Sequence, residues 1–199
     1  MQQPLFTGLA SEYGGNMAAL INEDTVLSFW FNELSQEQWF KKDAALDAEI
    51  TARFGDTLQE GERCELYRWR RTPEGRLAEI IVLDQFSRNI YRDKPQAFAN
   101  DPLALALAQE AVAQCLDNQL TPVQRAFLYM PYMHSESLAI HNIAMQLFDQ
   151  PGLENNLDFE VKHRDIIARF GRYPHRNELL GRTSSAEEVA FLQQPGSSF

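Results

Sequence analysis

The stretch RLAEIIVLDQFSRNIYR, residues 76–92, decides the fold. Wound at about 100° per residue, it puts Leu77, Ile80, Ile81 and Tyr91 on one stripe, while Val82, Leu83, Phe86 and Ile90 cover most of the remaining circumference. A helix that is apolar nearly all round belongs at the centre of an all-α protein. Asp84 and Arg88 fall inside the stripe at i,i+4 spacing, so the same reading buries an ion pair. Burying such a pair is costly unless both groups are fully hydrogen-bonded. It is therefore either a structural tie to a neighbouring helix or the floor of a polar site.

Working outward, nearly every segment carries helix punctuation and none carries sustained strand alternation. Thr72-Pro73 caps the central helix, and Asp101-Pro102 and Thr121-Pro122-Val123-Gln124 open two more. A first helix spans about Glu23 to Asn32. A capping box of Ser35 and Gln38 opens a short turn, and Asp43 to Phe54 follows, stopped by Gly55. Glu62 to Arg71 is helical by pattern. Pro131 should break the helix begun at Thr121. Ser137 to Phe148 makes another, Asn155 or Asn156 caps one that ends at Gly171, Pro174 opens a short one ending near Gly181, and Ser184 with Glu187 boxes the last. Short connections of this kind favour antiparallel hairpins. The expected organisation is a loosely ordered tail over residues 1–22, with Met17 as an alternative start, and a single all-helical domain over 23–199.

With 44% hydrophobic and 23% charged residues the composition is that of a globular domain, and no apolar run is long enough to span a bilayer. The beginning of the chain lacks a secretory pattern, which points to the cytoplasm. Cys64 and Cys115 have neither disulfide nor metal spacing and read as buried thiols. A net charge of -10 opposes binding to nucleic acid or to an anionic membrane.

Against that acidity one stretch is basic. From Lys162 to Arg182 there are six cations and two anions, leaving 12 cations against 26 anions elsewhere, and His163 and His175 lie in the same stretch. His163 interrupts the stripe Phe159, Ile166, Phe170 and so faces inward, where it and Arg88 are expected within side-chain reach. Asp165 and Arg169 suit a solvent-side bridge. Pro174 would leave the amides of His175, Arg176 and Asn177 open to an anion, with the guanidiniums of Arg172 and Arg176 beside them. YMPYMHSES, residues 129–137, presents His134 and Glu136 at a helix break.

These residues outline a cationic polar pocket for a small anionic metabolite. Arg88, Arg172, His175 and Arg176 would bind the ligand. In an enzyme, His163 or His134 would be the general base, oriented by Glu136 or Asp84, for hydrolysis or group transfer on a phosphate or carboxylate ester. A divalent-metal site of the histidines and Glu136 is a third reading, although their spacing fits no standard ligand set, and the sequence does not name a cofactor. The alternative is a helical interaction module that holds an acidic peptide.

VLSFWFNELSQEQWFKKDAALDAEITARFG, LDQFSRNIYRDKPQAFANDPLAL, FLYMPYMHSESL and HRDIIARFGRYPHRNELLGR together resemble an uncharacterised bacterial family, domain-of-unknown-function family 924, over about Val26 to Phe191. The resemblance implies a tetratricopeptide-repeat-like helical fold and brings no activity. The chain lacks the small and aromatic positions of a regular 34-residue repeat.

Overall fold

The computed structural model describes residues 21–198, so the first twenty residues of the expected tail, Met17 among them, lie outside it. Every regular element among the described residues is helical. The helices are α1 (Glu23–Ser28), α2 (Ala44–Glu62), α3 (Pro73–Ile81), α4 (Ser87–Ile90), α5 (Asp101–Ala113), α6 (Pro122–Met133), α7 (Leu138–Phe148), α8 (Glu154–Phe170) and α9 (Ala186–Leu192).

α3 and α4 form one continuous helix joined by a π-helical turn, Val82–Phe86. Thr72 caps it by accepting from the Gly75 amide at 3.0 Å. Leu77, Ile80, Ile81, Val82, Leu83 and Phe86 are all fully buried, as the apolar circumference requires. α1, α2, α5 and α6 pack on this axis. Phe29, Phe54 and Phe86 pack ring on ring, and Trp30 meets Phe86 and Phe127 edge-on. α6, α7 and α8 pack in succession, and a smaller apolar cluster of Ile166, Ile167 and Tyr173 forms beside them.

Several local expectations are corrected. α2 runs through Gly55 to Glu62. A helical glycine costs about 1 kcal/mol relative to alanine, whereas burying Phe54 and Leu58 is worth about 1.5 to 3 kcal/mol each. Glu65–Arg71 is a 3₁₀ segment and not an α-helix, and residues 36–40 are turn, with only the Gln38 half of the expected box bonding the Ser35 amide. α6 continues through Pro131 to Met133, because Tyr129, Met130, Tyr132 and Met133 are all buried on its neighbours, and the break falls at His134. The cap of α5 is Asn100, so Asp101 is its first residue. α8 begins at Glu154 behind Leu153, and the last box uses Ser185 and Glu188, one residue later than read. Cys64 and Cys115 are exposed, both in the left-handed conformation just past a helix end, where a side chain points to solvent. Phe159 is half-exposed, and Arg169 bridges Glu187 and not Asp165.

Pro174–Arg176 is a single 3₁₀ turn. The amides of Arg176 and Asn177 already donate to Tyr173 and Pro174. They are not open to an anion, which corrects that part of the reading.

Among the described residues no helix is long and apolar enough to cross a membrane.

Candidate functional site

Asp84 lies on the π turn, which adds a residue to one turn of the buried helix and lets Asp84 and Gln85 aim side by side. The Gln85 amide donates to Asp84 Oδ2 at 2.6 Å. One turn on, Arg88 donates to Asp84 Oδ1 at 3.2 Å and to its carbonyl at 2.9 Å. Asp101, at the start of α5, takes both ends of the same guanidinium at 2.8 and 3.0 Å. Asp101 also accepts from Arg176 at 3.3 Å, so one carboxylate serves two cations.

His134, at the end of α6, completes the group, with Nδ1 2.7 Å from Asp84 Oδ1. Burial pushes the Asp84 carboxyl up, but His134, Arg88 and Gln85 together outweigh it and hold it at about 2. Burial, and then Arg88, push the His134 imidazole down. A neutral ring beside a carboxylate must donate through Nδ1–H. Nε2 then carries the lone pair, and among the described residues it has no hydrogen-bond partner. A buried aspartate fixing a histidine tautomer so that the far nitrogen can take a proton is the arrangement that general-base catalysis needs.

Arg176 is 6% exposed. Its guanidinium lies between the rings of Phe98 and Tyr173, with centroids at 4.5 and 4.6 Å. Of the five donors of a guanidinium, it uses one toward Asp101 and one toward the His134 carbonyl at 3.1 Å, and Nε is buried without an acceptor among the described residues. Burial, and then Arg88, lower its pKa, so its charge is poorly compensated.

The remaining sequence candidates take other positions. Glu136 accepts from both ends of Arg182 and from the Tyr173 amide at 2.7 Å; it orients no histidine. His163 bonds the Phe159 carbonyl at 2.7 Å, and its ring meets Tyr173 edge-on. Arg88 bonds Asp84 and Asp101, and His163 bonds the Phe159 carbonyl. His175 tilts against the same tyrosine. Arg172 turns away to Glu188 and the Thr183 carbonyl. The basic stretch thus spends most of its charge on carboxylates of the acidic remainder.

Sequence reasoning missed Asp101, which reads as a helix cap, and Tyr173, which reads as core. It also missed His141 and Glu160, which bond each other at 2.6 Å with neither side chain exposed. Their one signal was a polar pair on the inner faces of two adjacent helices. Among the described residues no group of three or more His, Cys, Asp or Glu side chains is arranged to hold a metal ion. Surface grooves lined by Phe31, Trp39 and Val123, and by Phe159, Ile166 and Phe191, share no residue with the cluster.

A family model described as a bacterial protein of unknown function (DUF924) matches residues 26–196. A solved structure of a protein of unknown function from Agrobacterium tumefaciens is 38% identical, with 89% of this chain and 99% of that chain covered and a TM-score of 0.82. No curated protein matches the chain.

Proposed function

The chain belongs to the DUF924 family, whose description carries no activity, and on that footing we propose that its central site binds a small phosphate- or carboxylate-bearing metabolite. One observation carries this: Arg176, 6% exposed, leaves most of its donors unused and its Nε buried without an acceptor among the described residues. A native protein rarely leaves a buried charged donor in that state, and an anion would relieve it. His134 Nε2 stands ready to take a proton from the ligand or from water, and Asp84 steadies the imidazolium that would form. Hydrolysis or transfer of a group on an ester is the chemistry this suits.

We read the succession α6, α7, α8 as tetratricopeptide-repeat-like hairpins that wall the site. An acidic peptide is the weaker occupant. Arg88, Arg172 and Arg182 each already answer a carboxylate of this chain, so an extended partner would find few open cations.

The test is thermal unfolding with sodium phosphate or sulfate against sodium chloride at matched ionic strength. The oxyanions should raise Tm by about 3 to 6 °C more than chloride at roughly ten times their dissociation constant. Arg176→Ala, whatever its own Tm, should erase the difference. An unchanged difference in that variant would move the anion elsewhere and sink the reading.

A further inference from the structure

Three consecutive carbonyls at the end of α6 are each held by a side chain from another part of the chain. The Tyr173 hydroxyl donates to Met133 at 2.5 Å, Arg176 Nη2 donates to His134 at 3.1 Å, and His141 Nε2 lies 2.8 Å from the Ser135 oxygen. A helix C-terminus leaves its last carbonyls without intrahelical partners, so each of these bonds fills a vacancy the fold creates. The three carbonyls are those of His134 and its two neighbours.

The His141 bond works in one tautomer. A carbonyl only accepts, so Nε2 must carry the hydrogen, and the Tyr173 oxygen at 3.2 Å shares it as a second acceptor. The other nitrogen faces Glu160 Oε1 at 2.6 Å. A protonated Glu160 would donate to Nδ1; an ionised one would accept from Nδ1–H of a charged ring. Nε2–H is kept in both states. Without Glu160, a neutral His141 could move its hydrogen to Nδ1 and turn the Nε2 lone pair against the Ser135 oxygen, which is repulsive.

We propose that Glu160, His141 and Tyr173 are positioning residues for His134: they hold the backbone of residues 133–135 so that Nδ1 meets Asp84, with Glu160 acting by fixing the tautomer of His141. The inference rests on the reading of His134 as the base. It adds that the base is aligned from behind, by groups that touch neither ligand nor reacting atoms.

The experiment follows the His134 Nδ1–H proton by NMR, assigned by its absence in His134→Gln, and measures its exchange with solvent. Glu160→Gln, whose amide can still donate to His141 Nδ1, should exchange as the wild type does. Glu160→Met should exchange about tenfold faster or more. Unchanged exchange in a folded Glu160→Met protein, or equal acceleration in Glu160→Gln, overturns the proposal. Should Glu160→Met fail to fold, Tyr173→Phe decides in its place. It deletes only the hydroxyl on Met133 and must also speed exchange; if it does not, the clamp is refuted. The phosphate response of the same proteins is scored separately. Faster exchange with no wild-type phosphate response would keep the clamp and discard the anion reading, and the reverse result would do the opposite.

Discussion

Asp101→Asn is expected to lower the unfolding free energy by about 3 to 5 kcal/mol, the range for breaking a buried ion pair from one side. The carboxylate takes two bonds from Arg88 and one from Arg176, and neither guanidinium is more than about one-fifth exposed. Asparagine keeps the volume, removes the charge and turns a donor toward two cations. Asp84→Asn should cost less, about 1 to 3 kcal/mol, because Arg88 retains Asp101 and a carbonyl oxygen can still accept from His134. Adding Arg176→Met to Asp101→Asn should recover part of the loss, since one stranded cation is removed with its partner. Urea unfolding measures all of these. A cost below about 1 kcal/mol for Asp101→Asn would mean a solvent-screened pair and would undo the claim of a buried charge cluster.

Acid should destabilise the protein well before its carboxylates titrate. Burial holds His163 at about 3 and, with the Arg176 charge adding to it, His175 at about 4, against 6.5 for a free imidazole. Both folded values lie below the unfolded one, so the unfolded chain takes up protons that the native state refuses. Stability is complete above pH 6.5 and is lost as pH falls from there toward 4 and 3. Between pH 7 and 5 each of the two should remove roughly 2 kcal/mol. His134, lowered by burial and Arg88, adds to the loss. Glu160 works the other way, since burial raises its carboxyl and the native state keeps that proton to higher pH. Urea unfolding at pH 7 and pH 5, at constant ionic strength, should show the drop. His163→Gln, which can still donate to the Phe159 carbonyl, should remove about half of it. A stability that stays flat across this range would show the histidines to be solvated.

The central helix was legible because its information is local: eight apolar residues wound at helical period need no knowledge of neighbours to specify burial, and the ion pair inside the stripe came with it. Capping chemistry was legible for the same reason at Thr72 and Thr121. Gly55 and Pro131 misled, because their backbone penalties are small beside the burial of Phe54, Leu58, Tyr129 and Tyr132, which only the assembled fold reveals. The site was half legible. Asp84, Arg88, His134 and Arg176 could be singled out by type, but the residue that ties them is Asp101, and a first-turn aspartate next to proline looks like a cap from sequence alone. The basic stretch advertised a cationic pocket. Folding spreads most of it onto Asp101, Glu136, Glu187 and Glu188, and sequence spacing does not encode which distant carboxylate answers which arginine.

The central claim, an anion held by Arg176 beside a neutral His134 base, is tested most directly by titrating sodium phosphate into histidine-¹⁵N-labelled protein and following the His134 ring nitrogens across pH. Bound phosphate should move the Nε2 resonance and raise the His134 pKa, because a nearby negative charge favours the imidazolium, and Arg176→Met should lose both effects. A His134 signal that ignores phosphate in the wild type, at concentrations that raise its Tm, would contradict the account.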